Sequence, residues 1–238
     1  MINEEESPLI PAIEALLSGN PVLIFDDEKR ESETDMVFAS EKITSASIRL
    51  LRKEAGGLIC TTMKHDTAQS LSMPYLEDLY SRFLPYGKIA TNSSDMKYDS
   101  HSSFTFTINS RETYTGITDR DRSKTIQDFV NFVKQIPPKN ITEMFYEKFR
   151  IPGHVNLLIA RDGYFSQRRG HTELSTYLVE KSGLVASATI AEMLSDSGNA
   201  LAKDEAKEYA RRHNLTFIEG KEIINQWAYE KSNGNRGL

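Results

Sequence analysis

"SPLIPAIEALLSGNPVLIFDDE", residues 7–28, reads as helix, turn and strand in succession. Ile10, Ile13, Leu16 and Leu17 fall on one face of a helical period. Gly19 is placed to end that helix, and Pro21 cannot continue it. "VLIF" then runs without a polar residue, as a strand covered on both faces does, and it stops abruptly at two aspartates. Helix, turn and buried-type strand in immediate succession begin an alternation that the rest of the chain continues.

The same alternation continues outward. "MVFASEKIT" (36–44) and "GLICTTM" (57–63) are predicted strands. Between them "SASIRLLRKEAG" (45–56) is a predicted helix with Ser45 or Ser47 as its cap. "SFTFTINS" (103–110) alternates as a strand does. "TGITDRDR" (115–122) is a turn leading into the helix "SKTIQDFVNFVKQI" (123–136), which two prolines end. "HVNLLIA" (154–160) is a strand with His154 at its mouth, after a Pro-Gly turn, and Asp162-Gly163 forms a hairpin-type turn. "ELSTYLVEKSG" (173–183) is a helix, "ASATIAEML" (186–194) a strand, and 203–231 reads helix, strand, helix. Residues 72–100 hold no sustained period and are expected to form a long functional loop or lid. Strands and helices intermix throughout, which predicts one α/β domain over residues 1–238, built around a mixed sheet.

Composition narrows the function. The chain has 238 residues, 39% hydrophobic and 26% charged, with a formal net charge of −5, which is ordinary for a soluble globular protein. No basic segment stands out and aromatics do not interleave with cations, so nucleic acid is a poor partner. No apolar run reaches membrane-spanning length, and the acidic N-terminus lacks a signal-peptide pattern. The one cysteine, Cys60, rules out an internal disulfide and a multi-cysteine zinc site. A cytoplasmic protein is expected.

Two stretches concentrate chemistry. "DDEKRESETD" (26–35) holds six carboxylates and two cations directly after a buried strand, where α/β proteins commonly place ligands. Arg30 among the acids offers an anion grip beside candidate metal ligands. "RRGHTE" (168–173) packs two guanidiniums, a glycine, an imidazole, a hydroxyl and a carboxylate into six positions. Gly170 allows close backbone approach. Thr172 can cap the helix that follows, whose free N–H groups suit a phosphate, and Arg168 and Arg169 add charge-assisted grip. Taken alone, the first stretch is equally a solvated loop and the second a capped helix with a basic turn. Glu192 lies inside an apolar run, where a carboxylate is costly unless it is used or turned outward. Cys60 alone reads as a small core residue, and "TGIT" (115–118) as a weak phosphate cradle. His65, His101 and His213 have no comparable company.

Their combination and order carry a resemblance. "DDEKRESETDMVFASE", "GGLIC", "FTFTI", "TGITDRDRSKTI", "PGHV", "RRGHTE", "GLVASATIAEML" and "SDSG" resemble the 3,4-dihydroxy-2-butanone 4-phosphate synthase family over nearly the whole chain. Thr34 stands where many members have glycine, and Asn156 where others have an apolar residue or proline. The resemblance implies a three-layer α-β-α sandwich and a homodimer with sites near the subunit interface. It implies conversion of D-ribulose 5-phosphate to L-3,4-dihydroxy-2-butanone 4-phosphate and formate, with Mg²⁺ or Mn²⁺. It matches Glu31 and His171 to the metal ligands, and His154 and Glu192 to positions required for catalysis. Arg30, Asp35, Arg168 and Thr172 match substrate contacts, among which Arg168 and the Thr172 turn are expected at the phosphate with Thr115 and Thr118 as helpers. Asp26, Cys60 and Glu173 match further active-site positions. A fused second enzyme domain, present in some members, is not expected. The competing readings are another metal-dependent reaction on a sugar phosphate and an inactive homologue that senses a phosphorylated metabolite.

Overall fold

The computed structural model describes residues 7–83, 98–99, 101–135 and 140–234. The strands are β1 (Val22–Phe25), β2 (Thr34–Ala39), β3 (Cys60–Met63), β4 (Phe104–Ser110), β5 (Phe149–Ile159), β6 (Ala188–Glu192) and β7 (Thr216–Glu219). They form one sheet in the order β4-β5-β3-β6-β2-β1-β7. β1/β7 and β3/β5 are parallel, and the remaining neighbours are antiparallel. The helices are α1 (Ile10–Leu17), α2 (Ser45–Leu50), α3 (His65–Ser70), α4 (Leu76–Ser81), α5 (Asp119–Lys134), α6 (Ile141–Lys148), α7 (His171–Lys181), α8 (Lys203–His213) and α9 (Gly220–Gly234).

Side chains alternate across a strand, and here both faces are buried. Val22, Ile24, Val37, Ala39 and Ile190 pack with α1, α7 and α9 residues such as Leu16, Leu178 and Ile223. Leu23, Met36, Phe38 and Ala191 pack on the other side with Ile48, Phe129 and Phe145 of α2, α5 and α6. The result is helix layer, mixed sheet, helix layer, as expected. β1 and β2 are buried at every position, which is why "VLIF" carries no polar residue.

Element ends differ from expectation for local reasons. Thr44, rather than Ser45 or Ser47, caps α2: its Oγ1 accepts from the Ser47 backbone N–H at 3.2 Å, and Ser47 Oγ accepts from the Thr44 N–H at 3.2 Å. α5 begins at Asp119, before the expected Ser123, because Thr118 accepts from Asp121 N–H at 3.1 Å and two aspartates occupy the first turn. β5 begins at Phe149, so His154 lies within it and not at its mouth. Pairing with β4 jumps from Ile108↔Val155 to Asn109↔Arg150. Residues 151–154 therefore bulge out of the ladder, which leaves His154 exposed. Asp162-Gly163 turns the chain toward α7 and makes no hairpin. Of the expected lid, 72–83 includes α4, and 84–97 and 100 lie outside the described residues.

Candidate active site

Strand alternation puts Asp26, Asp35, Cys60 and Glu192 on the face of the sheet that carries Ile24, Val37 and Ile190, beneath α7. Asp35 pairs directly with Glu192 across β2 and β6, beside the β1 residue Ile24. The first residue of α7, His171, closes over this row: its Nε2 donates to the Ile24 carbonyl at 3.2 Å. A carbonyl can only accept, so this bond leaves Nδ1 for the site. Nδ1 lies 3.4 Å from the Glu31 carboxylate and 3.6 Å from Asp35 Oδ1.

The loop between β1 and β2 is held from within. Asp26 accepts from the backbone N–H groups of Glu31 and Glu33, both at 3.0 Å, and from Arg30 Nη1 at 3.2 Å. Ser32 adopts a left-handed conformation (φ 57) that lets the loop close. Arg30 also pairs with Glu31 and, at 3.0 Å, with Asp99. Arg168 meets the same Asp99 oxygen through Nε at 2.5 Å and Glu173 through Nη1 at 2.8 Å. Two guanidiniums from distant parts of the chain thus share one carboxylate.

Gly170 sits between them. A Cβ there would lie 2.3 Å from Arg168 Nη1 and 2.7 Å from Arg30 Nη2, so any larger residue pushes the pair apart. Gly170, not Thr172, is the N-cap of α7, and the fully buried Glu173 accepts from its N–H at 3.3 Å and from Arg161 N–H at 3.0 Å. Thr172 is the second helical residue and faces the cavity. Glu192 is seated by the chain beside it: Gly57 N–H donates to its carbonyl at 2.9 Å and Leu58 N–H to its carboxylate at 2.7 Å. A Cβ at Gly57 would come within 2.2 Å of that carboxylate, which is why "GGLIC" needs its second glycine.

Part of this set lines one cavity of about 220 Å³. Leu158, Cys60 and Ile190 contribute from adjacent strands, with Glu31, Asp35, Glu192, Arg168, His171 and Thr172 around them. Burial works against an ionised Glu31, yet the His171 hydrogen bond and Arg30 hold it down at about 2. Burial drives the Asp35 carboxyl up to about 7, with His171 pulling the other way. His171 is buried too, but Asp35, Glu31 and Asp26 push it up to about 9. Burial, with Glu192 and Asp35, raises the Cys60 thiol well above its ordinary range, so it presents a neutral S–H and not a thiolate.

A divalent cation fits this chemistry. Carboxylate and imidazole donors from Asp26, Glu31 and His171 lie within 4.8 Å of one another, and Asp35 Oδ1 is buried with no hydrogen-bond partner among the described residues. Asp26 is the least available of the three, since both its oxygens already hold the loop. Glu31 and His171 are the open pair.

Other expected residues lie apart. Arg169 is exposed, beside the cavity's arginine pair. Thr115 is exposed and donates to Asp121 at 3.3 Å, while Thr118 is spent on capping α5. His154 does not line the cavity; its backbone N–H donates to Asn109 Oδ1 at 2.8 Å, and its Nδ1 is 3.0 Å from Asn109 Nδ2. The "TGIT" turn abuts the same asparagine, since a Cβ at Gly116 would lie 2.1 Å from Asn109 Nδ2. His154 and "TGIT" therefore form a second, exposed group.

Tyr98 and Asp99 of the cavity wall lie within the expected functional loop 72–100 without having been named, and the sequence reading missed the rest of that wall, His101–Phe104. The polar run "SHSS" entering an alternating strand is the only signal of it.

The family model for 3,4-dihydroxy-2-butanone 4-phosphate synthase matches residues 11–226. A protein of that name from Methanothermobacter thermautotrophicus (strain Delta H) is 42% identical over 221 residues, covering 91% of this chain and 94% of that protein. The solved Candida albicans 3,4-dihydroxy-2-butanone 4-phosphate synthase is 26% identical with a TM-score of 0.70, covering 92% and 97% of the two chains. A 3,4-dihydroxy-2-butanone 4-phosphate synthase structure in complex with two magnesium ions has 26% identity and a TM-score of 0.73, covering 94% and 98%.

Proposed function

The chain belongs to the 3,4-dihydroxy-2-butanone 4-phosphate synthase family, and from that premise we propose that it converts D-ribulose 5-phosphate to L-3,4-dihydroxy-2-butanone 4-phosphate and formate, a step of riboflavin biosynthesis. One observation carries the reading: a Glu31–His171 pair and an Arg30–Arg168 pair line or border the same cavity. A phosphorylated polyol needs both an anion grip and a place for a chelated cation.

Glu31 and His171 hold the divalent cation, Mg²⁺ or Mn²⁺, which when bound stabilises negative charge on neighbouring substrate oxygens. Arg168 and the N-terminus of α7 at Thr172 take the phosphate, with Arg30 beside them. Asp35 and Glu192, paired across two strands, are the acid–base groups within reach of the bound carbon chain; a carboxyl near neutrality such as Asp35 can both give and take a proton. Asp26 and Glu173 act through the side chains they hold. Cys60 contacts the substrate as a neutral thiol.

His154, with Thr115 and Thr118, fits a homodimer in which a second copy brings this exposed group to the cavity mouth. Its support is exposure: Tyr114 and Ile117 of the same turn, and Leu58 and Leu194 near Glu192, are 95%, 51%, 49% and 48% exposed. Among the described residues no helix is long and apolar enough to cross a membrane, in keeping with a cytoplasmic enzyme that acts on a small molecule. Incubating the purified protein with ribulose 5-phosphate and Mg²⁺ and assaying formate tests the reading; no formate would reject it.

A further inference from the structure

His154 stands in the bulge of β5, and two hydrogen bonds pin that bulge to β4. Gly153 N–H donates to Thr107 Oγ1 at 3.0 Å, and His154 N–H donates to Asn109 Oδ1 at 2.8 Å. A Cβ at Gly153 would lie 1.9 Å from the Ile108 carbonyl carbon and 2.2 Å from Asn109 N. Only a glycine lets the bulge lie this close to its neighbour strand.

A backbone N–H can only donate, so the Asn109 atom it meets is the amide oxygen. That settles the other end of the amide: Nδ2 is the atom 3.0 Å from His154 Nδ1. An amide nitrogen offers protons and no lone pair, so the ring nitrogen must accept. A neutral imidazole that accepts at Nδ1 carries its proton at Nε2. The ring is exposed, and the polar group left to it is Nε2–H, a donor.

The amide is enclosed from a second side. A Cβ at Gly116 of "TGIT" would lie 2.1 Å from Asn109 Nδ2, 2.3 Å from Cγ and 2.5 Å from Oδ1, and Gly116 has φ 88. Asp121 fixes that turn by accepting from Gly116 N–H at 2.9 Å and from Thr115 Oγ1 at 3.3 Å. The turn therefore serves the partner of His154.

We propose that Asn109 is a positioning residue that holds neutral His154 in the tautomer with its proton on Nε2, so that the imidazole meets the substrate as a hydrogen-bond donor. Such a donor suits a substrate oxygen that gains negative charge. The inference rests on the sugar-phosphate reading above for what arrives at His154, and on the amide geometry alone for the tautomer.

The test is nitrogen NMR of the imidazole, above the ordinary titration range of histidine, in wild type, Asn109→Asp and Asn109→Ala. Asn109→Asp keeps an acceptor for the His154 N–H, so the bulge stays pinned, but it offers Nδ1 a carboxylate in place of an N–H. Wild type should show Nδ1 unprotonated and Nε2 protonated. Asn109→Asp should move the proton to Nδ1. Asn109→Ala should give a mixture of tautomers, with kcat for formate release about 2- to 10-fold lower, the range of one neutral hydrogen bond, and KM for ribulose 5-phosphate nearly kept. A protonated Nδ1 in the wild type would overturn the proposal, as would the wild-type pattern persisting in both variants. The spectrum needs no turnover, so a wild-type protein that releases no formate would reject the reaction and leave the tautomer result decisive.

Discussion

His171 Nδ1 stands 3.4 Å from the Glu31 carboxylate while its Nε2 is committed to the Ile24 carbonyl at 3.2 Å. One ring nitrogen anchors the imidazole to the sheet and the other is aimed at an acid, as in a histidine oriented for a cation. His171→Ala should lower Mn²⁺ affinity by about 10-fold or more and leave metal-free binding of inorganic phosphate in place. Titration of each ligand separately checks it; equal loss of both would mean that the variant has disturbed α7 as a whole.

Glu192→Gln keeps an oxygen for the Leu58 N–H and so should melt close to wild type. If Glu192 moves protons, kcat should fall by about 10²- to 10⁴-fold with substrate affinity largely kept. A near-wild-type kcat would reduce Glu192 to a residue that seats the "GGLIC" segment.

Gly170→Ala separates ligand grip from stability. The atoms that an added Cβ would meet are the far ends of Arg168 and Arg30, which can swing away at small cost, and φ −89 suits alanine. The melting temperature should change little while phosphate affinity drops several-fold. A large loss of stability with intact phosphate affinity would contradict the convergence of the two guanidiniums.

Arg168→Ala should do both. Its partner Glu173 is fully buried, so removing the guanidinium leaves an uncompensated carboxylate, costing about 3 kcal/mol. Arg168→Ala with Glu173→Gln should recover part of that stability without recovering phosphate affinity. Recovery of both would place the phosphate elsewhere.

Much of this site was legible because its two halves are contiguous in sequence. "DDEKRESETD" and "RRGHTE" each gather their residues within one turn of chain, and α/β layering brings a strand end and a helix start together. The cap of α7 was misassigned because the N-cap is a glycine, which carries no capping side chain to read; its backbone N–H donates to the Glu173 carboxylate instead. His154 was placed at a strand mouth because a bulge has no period to read. The wall at His101–Phe104 was missed because "HSSF" looks the same whether it borders solvent or a cavity.

Alkaline pH should weaken the fold at a defined place. Burial, with Glu180 and Glu230 as acceptors of their hydroxyls at 2.8 and 2.9 Å, raises the phenols of Tyr164 and Tyr177 above the ordinary range. A raised acid favours the folded state while protonated, so this stability is complete below about pH 10 and is lost as pH rises beyond it. Melts across that range should fall in the wild type and less steeply in Tyr177→Phe. Identical slopes would show that Tyr177 ionises freely.

The most direct measurement is formate release from ribulose 5-phosphate by metal-stripped protein, before and after Mg²⁺ is added, for wild type and Glu31→Gln. Wild type should be silent when stripped and active when Mg²⁺ is restored, and Glu31→Gln should respond weakly or not at all. Formate release undiminished in the stripped wild type, or a full Mg²⁺ response in Glu31→Gln, would contradict the assignment of Glu31 and His171 to the cation.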